Sequence, residues 1–151
     1  MLVDQRTNTV VTHRDVGIGI SQVLPVLVMA YGSQNKLLAM EQPEIHLHPA
    51  LQAELGDVFI EAALGSRQNT FILETHSEHL MLRLLKRRRQ SADNEITDNH
   101  SCYCRKEDIQ IIFCEQENGK TRLLPLKTTD EGEFDAPWPN GFFAERREEL
   151  F

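Results

Sequence analysis

Lys36-Leu-Leu-Ala-Met-Glu-Gln-Pro-Glu-Ile-His-Leu-His-Pro49 is a short apolar run that ends abruptly in acidic residues and a proline. Flanked by Gly32 and Asn35 before it and interrupted by Pro43, the run predicts a strand buried on both faces. A carboxylate at the C-terminal edge of such a strand stands where open α/β sheets bind ligands. Glu41 is therefore a candidate to coordinate Mg2+ beside a nucleotide. The plainer alternative makes Glu41 and Glu44 solvated charges in the first turn of a helix after Pro43, where acidic residues suit the helix dipole.

A second switch from apolar to polar follows at Asn69-Thr-Phe-Ile-Leu-Glu-Thr-His-Ser-Glu-His79. Thr70 to Leu73 is short and rich in β-branched and aromatic residues, so it predicts another strand, delivering Thr75, His76 and Ser77 to the sheet edge. Between the two strands, Leu47 to Leu64 carries Leu51, Leu55, Val58, Phe59 and Ala62 at helical spacing. A strand, helix, strand unit predicts two parallel strands whose C-terminal ends, with Glu41 and His76, emerge together. A capping or packing role is the plainer alternative for a histidine in that position.

The flanks complete an α/β outline. Leu2-Val3 and Val10-Val11 read as strands of a hairpin with Thr7-Asn8 near its turn, and Val23 to Tyr31 as a buried helix starting near Pro25. A helix beginning near Glu78 ends in Lys86-Arg-Arg-Arg89, cations that favour a helix C-terminus or, alternatively, touch nucleic acid. Asn94 to Arg105 reads as a polar surface loop. Asp108 to Leu126 alternates through Ile109, Ile111 and Phe113, then turns at Glu117-Asn-Gly-Lys120, the strongest short hairpin signal. Trp138, Phe142 and Phe143 in the tail are expected to dock onto a sheet, base stacking being the alternative.

Composition narrows the classes. A chain of 151 residues that is 40% hydrophobic can bury a core, and a formal net charge of -7 argues against general polyanion binding. Cys102, Cys104 and Cys114 are odd in number and lack Cys-x-x-Cys spacing, so neither a disulfide framework nor a zinc knuckle is expected, and a reduced, cytoplasmic chain is. No apolar segment approaches the roughly 18 residues that cross a bilayer, so no membrane partner is expected.

The order Glu-Gln-Pro-Glu-Ile-His-Leu-His-Pro, then Phe-Ile-Leu-Glu-Thr-His-Ser-Glu-His, resembles the Walker B segment, the following D-loop and the switch histidine of ABC-type ATPases. The branch resembled contains RecF-like, SMC-like and OLD-family proteins of the AAA type. Asp15-Val-Gly-Ile-Gly-Ile-Ser-Gln-Val-Leu-Pro25 resembles its degenerate signature motif, and Pro137 to Phe151 the tail of an uncharacterised C-terminal domain carried by one subset. No Gly-x-x-x-x-Gly-Lys-Ser/Thr phosphate loop occurs. The resemblance thus implies the C-terminal lobe of a P-loop ABC-type ATPase, parallel strands with flanking helices plus a β-hairpin. Residues 1–106 would be a partial ATPase domain and 107–151 a C-terminal hairpin and aromatic tail.

By the same resemblance, ATP and Mg2+ are the cofactors, with Glu41 on the metal and His76 on the γ-phosphate or the attacking water. Gly17, Gly19, Ser21 and Gln22 would approach the γ-phosphate of a nucleotide held by a second subunit, which implies a homodimer; an N-terminal Walker A half, or the full-length protein, is the other partner implied. Asp57 and His46-Leu-His48-Pro49 would lie at the subunit contact. DNA is a possible partner, through repair or anti-phage defence. One departure matters: Gln42 occupies the place usually held by the glutamate that orients water, and a glutamine accepts no proton, so hydrolysis should be slow unless Glu44 or Glu74 substitutes. Two other readings stay open: a metal-dependent hydrolase or nuclease using His46, His48, His76 and His79 with Glu41 and Glu44, and a non-catalytic dimerisation half.

Overall fold

The computed structural model describes residues 2–4, 8–12, 17–129 and 131–135. The chain divides into two compact units, Met1–Arg83 and Leu84–Phe151. In the first, strands β1 (Leu2–Asp4) and β2 (Thr9–Val11) pair antiparallel with Val3 opposite Val10, as the apolar pairs predict. Thr7 at the expected turn, Asp15 before the glycine pair, and the aromatic tail lie outside the described residues.

Helix α1 spans Ile18–Gly32 and carries Pro25 inside it, which corrects the expected start near that proline. Gly17 sets the start instead: its extended ψ of 160° turns the chain into the helix, and its carbonyl accepts the Ile20 N–H at 3.0 Å. Burial is one-sided. Ala30 is fully enclosed, whereas Ile20, Leu24 and Val28 form an exposed stripe at helical spacing.

Strands β3 (Leu37–Glu41) and β4 (Thr70–Glu74) pair in parallel, with Leu37 opposite Thr70 and Glu41 opposite Glu74. The connecting helix α2 (Pro49–Leu64) starts with proline at its first position and His48 as its cap, Nδ1 accepting the Ala50 N–H at 3.3 Å. The expectation that β3 is buried on both faces fails. Leu38, Met40, Phe71 and Leu73 turn to the covered side, where the rings of Phe59 and Phe71 meet at 5.1 Å, while Leu37 and Ile72 on the other side keep 65% and 60% exposure. The connecting helix shields one face of the pair, and among the described residues nothing covers the other.

The N-terminal ends of the strands are tied by Asn69, 3% exposed. Its Oδ1 accepts the Lys36 N–H at 3.0 Å, and its Nδ2 donates to the carbonyls of Ala30 at 3.0 Å and Ser33 at 3.1 Å. One amide thus joins the end of α1, the start of β3 and the start of β4. Helix α3 (Glu78–Ala92) opens where Ser77 Oγ accepts the Leu80 N–H at 3.0 Å. Gly56 lets α2 approach α3, since a Cβ there would sit 3.2 Å from Arg83 Cγ, and Asp57 binds Arg83 Nη1 at 2.6 Å beside it.

In the second unit α3 continues three residues beyond the Lys86–Arg89 run to Ala92. Arg88, 3% exposed, donates to Thr128 Oγ1 and to the carbonyls of Thr128 and Thr129. Gly132 is left-handed at φ 74° and lies against the Leu85 carbonyl, where a Cβ would come within 2.6 Å. The hairpin forms as expected from β5 (Ile111–Glu117) and β6 (Lys120–Leu126), and Asn118 and Gly119 take the positive φ of 52° and 73° that a primed turn requires. The polar segment before it lacks regular structure until a single 3-10 turn at Lys106–Asp108, but Cys102 and Cys104 tuck inward. The Cys104 N–H reaches Ser91 Oγ at 3.1 Å. No helix among the described residues is long and apolar enough to cross a membrane.

Asn69→Ala strands three backbone groups at once and is expected to lower the unfolding free energy by about 2–4 kcal/mol in urea titrations. A second expectation concerns the thiols. Burial, reinforced by the Asp108 carboxylate, raises Cys104 from 9.0 to about 11. A proton held more tightly in the folded state stabilises it fully below 9.0, and that contribution is lost as pH climbs to about 11. At about pH 8, iodoacetamide should modify exposed Cys114 readily and Cys104 only on unfolding, as read by peptide mass spectrometry.

Candidate functional site

The parallel register ends with Glu41 opposite Glu74, both side chains exposed on the same side of the strand pair. Two carboxylates in that relation repel. The Gln42 N–H then donates to the Glu74 carbonyl at 2.7 Å, carrying the pairing one residue beyond the strands. Gln42 has φ 43° and His46 φ 64°, so the turn that follows is left-handed at two non-glycine positions. It is closed by Ile45 N–H on the Gln42 carbonyl at 3.1 Å and Leu47 N–H on the Glu44 carbonyl at 3.0 Å.

Pro43 and Glu44 in this turn are buried. Glu44 is 5% exposed, and its Oε1 accepts the Thr75 hydroxyl at 2.6 Å and the His76 N–H at 3.2 Å. Its Oε2 is buried without a partner among the described residues. The His76 ring is exposed, with Nε2 at 3.5 Å from Glu74 Oε1. Ser77 Oγ donates to Gln52 Oε1 at 2.7 Å, and Gln52 Nε2 to the Leu47 carbonyl at 3.0 Å. The segment after β3 and the segment after β4 are thus joined twice.

The start of α1 reaches the same turn. A Cβ on Gly19 would lie 2.8 Å from the His46 carbonyl oxygen, so only glycine fits there. Gly17 caps α1 without a side-chain bond, no acidic residue occupies the first turn, and the Ile20 N–H is taken by the Gly17 carbonyl. Ser21 is half-buried and Gln22 exposed.

Glu41, Gln42, Glu44 and His76 therefore gather at one edge, as expected, with Gly19 packed behind them. Asp57, expected at a subunit contact, is bound by Arg83 in the middle of α2. The histidines do not converge: His48 caps α2, and among the described residues no three His, Cys, Asp or Glu side chains are grouped to hold a metal ion. In the Lys86–Arg89 run Arg88 is buried and Arg87 Nη1 bonds Gln90 Oε1 at 2.9 Å, leaving Lys86 and Arg89 exposed. Reasoning from sequence missed Gln52 altogether, because a polar residue in the first turn of a helix carries no signal of where its amide reaches. It also missed the inward turn of Glu44, which only the left-handed geometry at Gln42 and His46 produces.

The family model described as AAA ATPase domain matches residues 3–81, which include β3, α2, β4 and every residue gathered at this edge. No curated protein and no solved structure matches the chain. With more than half of its 151 residues matched, the chain belongs to the AAA ATPase domain family.

Proposed function

We propose that this chain supplies the Walker B and switch side of an ABC-type, RecF/SMC/OLD-like ATP-hydrolysing site. The observation that carries the reading is the register Glu41 opposite Glu74, extended by Gln42 on the Glu74 carbonyl, because it gathers an acid, a water-orienting amide and an imidazole at the edge where α/β sheets bind ligands. The donor set suits Mg2+, a hard cation that takes one or two carboxylates together with phosphate oxygens in place of an all-protein cage. When bound it neutralises charge on the phosphates.

Glu41 would hold the metal, whose charge would relieve the repulsion between Glu41 and Glu74. Gln42, its backbone fixed at both N–H and carbonyl, orients the water through the side-chain carbonyl but takes no proton, so turnover is slow. His76 donates to the terminal phosphate through an exposed ring whose Nε2 lies 3.5 Å from Glu74 Oε1. Gly17 and Gly19 let the backbone at the start of α1 approach a nucleotide held across a homodimer, with Ser21 and Gln22 beside them. The phosphate loop comes from a Walker A partner. A DNA-linked task rests on the resemblance, and the two exposed cations of the 86–89 run give it modest support.

Phosphate release by the chain complemented with a phosphate-loop partner tests the assignment. Glu41→Ala should lower Mg2+-dependent turnover by roughly a hundredfold or more. His76→Ala should spare nucleotide binding and slow turnover, and Gln42→Glu should speed it by at least about tenfold, since a general base contributes about 10²–10⁴. Unchanged turnover in the first two variants refutes the reading.

A further inference from the structure

We infer that Glu44 is a positioning residue whose buried carboxylate latches the turn carrying Gln42 to the loop carrying His76, and that it exchanges no proton with the attacking water. Its catalytic consequence rests on the function proposed above; the latch itself does not.

A general base must come within about 2.6–3.2 Å of the water it deprotonates. Glu44 is 5% exposed, its Oε1 is taken by the Thr75 hydroxyl and the His76 N–H, and its Oε2 is shielded from solvent. Thr75 has one proton to give and gives it to Glu44, while its oxygen accepts the Ser77 N–H at 3.0 Å. The chain of bonds therefore runs from the Glu44 carboxylate through Thr75 to the first residue before α3. It fixes the backbone on both sides of His76 while leaving the imidazole exposed. The Leu47–Gln52–Ser77 bridge is a second tie between the same two segments, farther along both. A side chain that needs only one oxygen for this task is replaceable by glutamine, whose carbonyl presents the same acceptor; a proton acceptor is not.

Two variant pairs and two measurements decide. Amide hydrogen exchange on the chain itself should show His76 and Ser77 protected in wild type and Glu44→Gln, and exchanging roughly tenfold faster or more in Glu44→Ala. In the complemented ATPase, Glu44→Ala should lower kcat by roughly tenfold or more at little changed KM, as expected when a reacting group is misplaced by about 1 Å. Glu44→Gln should recover most of that loss with an unaltered pH profile. Thr75→Val should reproduce the alanine variant and Thr75→Ser should rescue it, which keeps the test alive if Glu44→Ala fails to fold. Native exchange at both amides in Glu44→Ala overturns the latch. Glu44→Gln as inactive as Glu44→Ala with both amides protected overturns it too, and makes Glu44 the proton acceptor. Absence of hydrolysis in the complemented wild type would sink the ATPase reading alone, since the exchange result stands without nucleotide.

Discussion

Parallel pairing of β3 and β4 in a single register is the constraint on which the site depends. Side chains alternate across a strand, so a slip of one residue would turn Glu41 toward α2 and bring Met40 out in its place. What prevents the slip is apolar: Leu38, Met40, Phe71 and Leu73 share the covered side, and Phe71 meets the ring of Phe59. Hydrophobic burial, which is indifferent to chemistry, thus decides which carboxylate stands at the edge.

Two buried polar side chains guard the two ends of this strand pair. Asn69 ties the N-terminal ends to the last turn of α1, and Glu44 ties the segments that leave the C-terminal ends. Each spans more than thirty residues of sequence with short bonds. A buried polar group is costly unless satisfied. Asn69 meets that condition with both its amide atoms, whereas Glu44 meets it with one oxygen only among the described residues.

Much of this was legible beforehand for physical reasons. Runs such as Leu37 to Met40 and Thr70 to Leu73, short and bounded by polar turns, favour strands, and the helical spacing between them favours the parallel arrangement. Asn118-Gly119 encodes its turn directly. Pro25 misled because a proline inside a helix and a proline at its start read alike, and Gly17 gave the stronger signal. Burial on both faces of β3 was a fair inference from continuous apolarity, but the face a strand shows depends on what packs there, which the strand itself does not state. The gathering of Glu41, Gln42 and His76 followed from topology. The hydrogen bonds of Glu44, Thr75, Gln52 and Ser77 did not, because they depend on backbone dihedrals in a turn whose two left-handed residues are not glycines.

Those dihedrals bear on any attempt to make the protein more heat-resistant. Left-handed backbone costs a residue with a Cβ about 1–2 kcal/mol, and replacement by glycine at Gln42 or His46 is a standard route to recover it. Here hydrogen bonds hold the bend between β3 and α2, and residues with a Cβ leave it few other shapes, so a glycine-softened bend would trade a single defined turn for melting temperature.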